Sequence, residues 1–595
     1  MNSFIKAKQH IMSVWIALLL LFGFLLLPLA YGDHPDTIFF RYVQSWKILF
    51  LNIIPVLIMA FFMLAVTGSY FASYFFSTGI AMTFSLINYY KLCFRDDPVI
   101  FEDLLYIREA SAMAGQYTLF VNWRIIMVLL VWLAGAVFVL LLRHKRIKKA
   151  KPRIYMFLFA FSIGTVIFPM LYGNDELYRS LGTDTYWTPT EYAVSRGGIY
   201  PFLYSINSAF ENAPEDYKEG HIKNILSEYV ESDIPQEEKV NIIALMREAY
   251  VDFSSFEING LDCSGYKVYH ELKEESYTGS LVTNIFAGGT VNTERCFLTG
   301  DYKLKDYRKN TNSYVWYFRQ QGYAVEGSHP FFQYMYNRRN INQYLGFDKY
   351  RYYENDFEHL SQAYFPEDSV LLPEVYNDFL KSKEDGKPYF SFSVNVQSHG
   401  PYATDALKSG NKEYLTGAYS DECKFAVNNY MNIIMEQDLE LRRLIEMLKD
   451  DPEPVVFILF SDHLPWMGNG NSFYTELGME FRTDTEEGFY HYYSTEYLIW
   501  ANDAAKKALN NDFTGEGPTI SPCYLMNEVF KQCGWKGPAF MQAMDDMMQI
   551  FPVVSTNGRY VVDGHFVDAI PEERLETMRD LEGLGYYWRN NFLYK

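Results

Sequence analysis

Cysteine is scarce in this 595-residue chain: there are six, at 93, 263, 296, 423, 523 and 533, with no CxxC pair among them. That spacing excludes a sulfur-rich zinc site and a dense disulfide framework. A single bridge, Cys523 with Cys533, stays open for a chain whose second half leaves the cytoplasm. Positive charge is also short, 52 Lys and Arg against 72 Asp and Glu, for a net charge of -20. Phosphate-backbone binding needs clustered cations, so nucleic acid is excluded as a partner. Almost all the long apolar runs lie before residue 174. A chain of this length and unevenness divides into an apolar N-terminal part and a mixed, acidic part large enough to bury its own core.

The apolar part reads as a transmembrane domain, 1–173. Residues 11–31 carry no charge and are long enough to span a bilayer, too long for the core of a cleaved signal peptide. Four further spans are expected at about 48–67, 70–90, 125–142 and 154–173. The third is rich in Ser, Thr, Asn and Tyr, which suits a helix facing its neighbours. The segment 143–153, RHKRIKKAKPR, holds seven Lys and Arg in eleven residues and is expected on the cytoplasmic side, as are Lys6 and Lys8. Five spans starting inside leave everything after residue 174 outside the cell membrane. Between the third and fourth spans, FRDDPVIFEDLLYIREAS suggests an interfacial helix.

Residues 174–238 read as a linker with short helices, 239–550 as a folded domain, and 551–595 as a C-terminal appendage of it. Three runs inside the domain are apolar on nearly every residue: Val240–Met246, Tyr389–Val396 and Val455–Phe460. That pattern fits strands buried on both faces of a parallel sheet, where alternation would mark a half-exposed one. Apolar residues at helical spacing fill 421–449 between them. The fold class expected is a five-helix transmembrane domain followed by an extracellular α/β domain with a mostly parallel central sheet.

The residues after each run carry chemistry. The first leads to Glu248, the second to Ser398-His399, the third to Asp462-His463. In open α/β sheets ligands bind beyond the carboxyl ends of the strands, so three segments deliver acid, base or metal-ligand groups to one edge. Another segment runs Phe286-Ala-Gly-Gly-Thr-Val-Asn-Thr-Glu-Arg-Cys-Phe-Leu-Thr-Gly300. Its glycines admit a close ligand, and 291–298 suits a short helix with Thr290 at its N-cap. A hydroxyl there either caps the helix or, activated, serves as a nucleophile at a phosphate-binding helix start. The segment by itself leaves both open.

The motifs NIIALMREAYVDFS, GGTVNTERCFLTG, MYNRRNINQYLGFDKY, VQSHGPY and FSDHLPWMG, in this order behind five spans, resemble the lipoteichoic acid synthase and phosphoglycerol transferase family of the alkaline phosphatase/sulfatase superfamily. The resemblance implies one divalent cation, usually Mn2+ with Mg2+ as the alternative, on Glu248, Thr290, Asp462 and His463. One imidazole among oxygen ligands suits these ions. It implies Thr290 as the nucleophile and His399 as a second catalytic residue near the phosphoryl group. Arg338 stands where the family's arginine holds glycerol phosphate, with Tyr336 and His329 lining the same pocket. The activity implied is transfer of glycerol phosphate from phosphatidylglycerol, through a covalent threonine ester, to a glycolipid, polyglycerolphosphate or glucan acceptor. Two alternatives are a phosphoethanolamine transferase of the same superfamily and a non-catalytic envelope sensor. Enzymes of the first kind usually carry several disulfides, and the second implies loss of ligand residues that are all present.

Overall fold

The computed structural model describes residues 2–594 apart from 33, 35–36, 96–97, 105–119, 143–145, 182–192, 207–212, 306, 362, 385 and 469–470. Its contacts divide the chain into two units, Met1–Asn212 and Ala213–Lys595. The division falls within the stretch 174–238.

The first unit is built on helices α1 (Asn2–Leu25), α2 (Trp46–Thr67), α3 (Tyr70–Arg95), α4 (Trp123–Leu141) and α5 (Ala150–Ile167). They supply five segments long and apolar enough to cross a membrane: Ile11–Leu29, Trp46–Thr67, Tyr70–Cys93, Trp123–Leu141 and Ala150–Tyr172. Local signals set their ends. Ser45 caps α2, its hydroxyl accepting from the Ile48 N–H at 3.4 Å, and Gly68 closes it in the left-handed region at φ 64°. Asn122 caps α4 in the same way at 3.2 Å. Several polar residues of α3 are turned inward: Ser73, Ser77 and Thr78 are fully buried. Ser77 donates to the Ser73 carbonyl at 2.6 Å, Thr78 to that of Tyr74, and Ser73 across to Ala60 of α2. An apolar environment leaves such hydroxyls no other partner. Half of the expected interfacial helix lies outside the described residues. Its described part holds a short turn, Phe101–Leu104, tied to α3 by the Lys91–Asp103 ion pair at 2.7 Å.

The second unit centres on an eight-stranded sheet of β1 (Asn241–Arg247), β2 (Tyr277–Val282), β3 (Ala324–His329), β4 (Lys349–Tyr352), β5 (Tyr389–Val394), β6 (Val455–Ser461), β7 (Ser494–Ala501) and β8 (Gly515–Glu516). The order is β4-β3-β5-β1-β6-β7-β2-β8. β4, β3, β5, β1 and β6 run parallel, whereas β7 pairs antiparallel with both β6 and β2. The α/β domain with a mostly parallel sheet is therefore present. The three continuous apolar runs are the adjacent strands β5, β1 and β6, buried at every position.

Helices α6 (Val291–Thr299), α7 (Tyr314–Gln320), α8 (Arg338–Tyr344), α9 (Asp368–Glu384), α10 (Asp421–Lys449) and α11 (Leu575–Asn590) flank the sheet. α10 has the bounds its periodicity suggests, with Ser420 as its N-cap. Beyond residue 550 a small antiparallel sheet (Val553–Val554, Tyr560–Val562, His565–Val567) precedes α11. This C-terminal stretch is built into the main core. Trp588 stacks on Phe540 at 4.3 Å and its indole N–H donates to the Thr299 carbonyl at 2.9 Å, bracing the end of α6. The disulfide that the sequence left open is not formed: Cys523 and Cys533 are both free and buried.

Candidate metal centre and nucleophile

Register brings the site together. β1 is paired in parallel with β5 and β6, Met246 opposite both Val394 and Phe460, so the three strands end at one edge. The chain leaves β1 through Glu248 and then Ala249, whose φ of 44° is uncommon for a residue with a Cβ. That bend is held from both sides. The Glu248 N–H donates to Asn395 Oδ1 at 2.7 Å, its carbonyl accepts from the Ser398 hydroxyl, and the Ala249 N–H donates to Asp462 Oδ1 at 2.9 Å. A bend costing roughly 1–3 kcal/mol persists where its surroundings over-determine it, and here three hydrogen bonds from two neighbouring strands do so.

Glu248, Asp462 and His463 are buried, and one ligand atom from each lies within 4.8 Å of the others. His463 Nε2 stands 3.2 Å from Asp462 Oδ2 and 3.6 Å from Glu248 Oε1. Asp462 Oδ2 and His463 Nε2 nevertheless have no hydrogen-bond partner. The rest of each side chain is committed. Asp462 Oδ1 accepts from the Ala249 and His463 N–H groups, and His463 Nδ1 donates to the Leu464 carbonyl at 3.0 Å. That bond selects the tautomer whose Nε2 carries a free lone pair. Burial, reinforced by the Glu248 charge, pushes the Asp462 carboxyl well above its usual range, while burial depresses His463. Two buried carboxylates and an imidazole with unmet lone pairs form a set that a cation would satisfy. The donor set fits a divalent metal: hard oxygens with one nitrogen and no sulfur.

Thr290 occupies the N-cap position of α6, but its side chain makes no cap hydrogen bond. Its hydroxyl donates to Glu248 Oε2 at 2.9 Å instead. The approach runs through Gly288 and Gly289 at φ 143° and 82°, values that side chains with a Cβ avoid. Thr293, one turn on, donates to the Asp462 carbonyl at 2.9 Å and locks α6 against the end of β6.

The remaining residues form a second group beside this one. Arg338, 2% exposed, places Nε and Nη2 at 3.0 and 2.9 Å from Glu294 Oε2 of α6. Its guanidinium lies 5.4 Å from the Tyr336 ring. Tyr336 adopts φ 57°, with its carbonyl accepting from Arg295 at 2.7 Å. Burial raises its phenol, which also feels Arg338 and the Glu248 charge. His329 ends β3, its Nδ1 at 2.9 Å from the Val394 carbonyl, and burial with the adjacent Arg338 charge pushes it well below the ordinary histidine range. His399 stacks on Phe365 at 4.7 Å and places Nδ1 2.7 Å from the Gly400 carbonyl. Thus Glu248, Thr290, Asp462 and His463 share one cluster, Arg338 neighbours both Tyr336 and His329, and His399 packs against Phe365.

Sequence reasoning missed the supports. Glu294 holds Arg338, and Asn395 holds Glu248 while donating to Asp368 Oδ2 at 2.9 Å. Asp368 is buried and pushed up to about 7 by that burial. The one available signal for Asn395 was its place after β5, at the same edge as Glu248.

Residues 250–533 match the family model described as Sulfatase, beginning just after Glu248. A putative cyclic beta-1,2-glucan modification protein of Rhizobium meliloti is 25% identical over 398 residues, 63% of this chain and 60% of the relative. The chain therefore spans less than two thirds of that relative's length. Among solved structures, the Streptococcus pyogenes phosphoglycerol transferase GacH in complex with sn-glycerol-1-phosphate is 18% identical, with a TM-score of 0.45, covering 64% of this chain and 95% of its own. The lipoteichoic acid synthase LtaP from Listeria monocytogenes is 15% identical at the same TM-score, covering 62% and 97%. The second unit thus holds an α/β sulfatase-like domain.

Proposed function

We propose that the chain is a membrane-anchored, metal-dependent phosphoglycerol transferase, moving glycerol phosphate from phosphatidylglycerol to a cell-envelope acceptor through an ester on Thr290. One observation carries the reading. The Thr290 hydroxyl sits where a helix cap belongs, yet it points at Glu248 beside buried ligand atoms with no partner. A structural threonine would spend its hydroxyl on the helix.

Glu248, Asp462, His463 and Thr290 would hold the cation, Mn2+ or Mg2+ by donor type. When bound, it supplies Lewis-acid charge that lowers the Thr290 pKa and neutralises phosphoryl oxygens. Thr290 Oγ forms the bond to phosphorus as the bond from phosphorus to the diacylglycerol oxygen breaks. The hydroxyl proton leaves along the 2.9 Å hydrogen bond toward Glu248. His399 gives a proton to the departing oxygen and takes one from the acceptor hydroxyl in the second displacement, which returns Thr290 to its starting form. Arg338, aligned by Glu294, holds the phosphoglycerol group with its remaining donors. Tyr336 and His329 line the glycerol side, His329 as a neutral imidazole given its depressed pKa.

The acceptor is a glycolipid, a growing polyglycerolphosphate chain or a glucan, and the likeness to a glucan modification protein favours the last. The basic segment 143–153 supports a cytoplasmic loop there and an extracytoplasmic second unit. Purified protein with labelled phosphatidylglycerol and Mn2+ is expected to release diacylglycerol, and Thr290→Ala to abolish that release. Release that persists in the variant sinks the nucleophile, and transfer of ethanolamine phosphate instead moves the chain to the neighbouring activity. In whole cells, Ile147→Cys is expected to resist impermeant thiol reagents, and ready labelling would invert the topology.

A further inference from the structure

A second polar cavity, of about 590 Å3, opens where α7 and α8 meet the edge strand β4. It falls within the roughly 300–1,000 Å3 of small-molecule sites, and the proposed phosphotransfer uses none of its residues. Five of its twelve lining residues are amides, Asn310, Gln333, Asn342, Gln343 and Asn355, and four are aromatic, Trp316, Phe347, Tyr350 and Tyr352. Asn342 is 1% exposed, and its Nδ2 donates to the Tyr352 hydroxyl at 3.2 Å while Oδ1 has no hydrogen-bond partner. The Tyr350 hydroxyl, in the same wall, also lacks a partner in hydrogen-bonding geometry. The Tyr350 ring lies against Gly327 of β3, where a Cβ would stand 2.3 Å from it.

A buried amide with an unmet polar atom costs stability unless something fills its valence. Charge favours an anion only weakly, since a single guanidinium, that of Arg339, is left to meet one. The cations in the lining are Arg319 and Arg339, and Arg319 is held by Asp348 of the same lining at 2.9 Å. Lining this rich in amides argues against an apolar ligand. Amide side chains both donate and accept, as does a sugar hydroxyl, and the half-buried Trp316 adds an aromatic surface for its C–H groups.

We propose that this cavity is a binding site for a neutral oligosaccharide, distinct from the metal centre. It adjoins that centre's substrate group through α8. Arg338 at the start of the helix clasps Glu294 on the nucleophile helix, while Arg339, Asn342 and Gln343 line the cavity. Resting on the transferase reading above, the site holds the glycan whose hydroxyl accepts phosphoglycerol.

Binding is measured on full-length Thr290→Ala protein in lipid nanodiscs, so that success or failure of transfer does not enter. The probes are a panel of neutral gluco-, galacto- and rhamno-oligosaccharides, with inorganic phosphate as the anion control, read by saturation-transfer NMR. At least one oligosaccharide is expected to bind. Gln343→Ala and Asn355→Ala, both at exposed positions, are each expected to weaken it roughly tenfold, the effect of one lost hydrogen bond in a site with unmet partners. The proposal is overturned if no oligosaccharide binds, if both variants bind as the parent does, or if phosphate displaces the sugar. In the Thr290-intact protein these two variants are expected to keep the first, single-turnover release of diacylglycerol and to transfer to glycan roughly tenfold less well at limiting glycan. Loss of release as well would assign the cavity to the donor side and overturn the acceptor role.

Discussion

Helix α3 and the end of strand β6 both bury polar side chains, and they treat them in opposite ways. In α3, Ser77 and Thr78 return their hydrogen bonds to carbonyls one turn back and Ser73 reaches Ala60. Asn52 of α2 spends both ends of its amide, Nδ2 on the Ile48 and Arg196 carbonyls and Oδ1 on the Ile199 and Tyr200 N–H groups. At the strand ends, Asp462 Oδ2 and His463 Nε2 are equally buried and have no partner. Burial alone therefore does not mark function. A polar group satisfied within the protein is architecture, while one kept dry and unmet beside a second carboxylate is a place for a ligand.

The contrast breaks most visibly at Asp462. Asp462→Asn keeps an oxygen for the Ala249 and His463 N–H groups but removes a charge from the metal set. Diacylglycerol release is expected to fall by roughly a thousandfold or more, the scale of losing a central electrostatic group. The metal-free variant is nevertheless expected to be more stable than its parent, by on the order of 1–3 kcal/mol at neutral pH, since a buried carboxylate no longer faces Glu248. Thermal unfolding in chelator reads this, and a variant that melts below its parent would place the stabilising role with the carboxylate itself. Adding Mn2+ is expected to raise the melting temperature of the parent and not of the variant.

Asp368 sharpens the comparison from a middle position, with Oδ2 engaged by Asn395 and Oδ1 unmet. Burial lifts it to about 7 from an ordinary 3.8, against the opposing pull of Asn395, Gln437 and the Arg247 charge. A raised carboxyl contributes stability below its unfolded value and loses it as pH climbs to the folded one. Between pH 4 and 7 the parent should thus lose on the order of a few kcal/mol relative to Asp368→Asn. Thermal unfolding at pH 4, 5.5 and 7 tests it, and parallel profiles would remove Asp368 as the source.

The contrast also separates what the sequence discloses from what it hides. β1, β5 and β6 are legible because strands buried on both faces need apolar residues at every position. β2 (YTGSLV), β3 (AVEGSH) and β4 (KYRY) are not, because they are partly exposed and mix polar with apolar residues. The proposed metal set is legible because Glu248 and the Asp462-His463 pair directly follow strands and Thr290 a Gly-Gly turn. Its supports are not. Glu294 reads as a first-turn acid complementing a helix dipole, as does Asp368 at the start of α9. Their real partners, Arg338 and Asn395, are 44 and 27 residues away in sequence, a pairing that only the folded sheet creates.

The smallest effects belong to the satisfied side of the comparison, and their ranking tests whether satisfaction is what matters. Asn52→Leu adds apolar surface to an apolar region, yet it orphans the Ile199 and Tyr200 N–H groups and is expected to cost about 1–3 kcal/mol. Ser77→Ala removes a donor whose acceptor, the Ser73 carbonyl, keeps its place in the helix ladder, so the cost should stay near ~0.6 kcal/mol. Neither touches the metal set, and diacylglycerol release per folded molecule should be unchanged in both. Melting in nanodiscs gives the order. If Ser77→Ala proved the more damaging, buried hydroxyls in α3 would contribute more than local bookkeeping allows, and the division between satisfied architecture and unmet site would have to be redrawn.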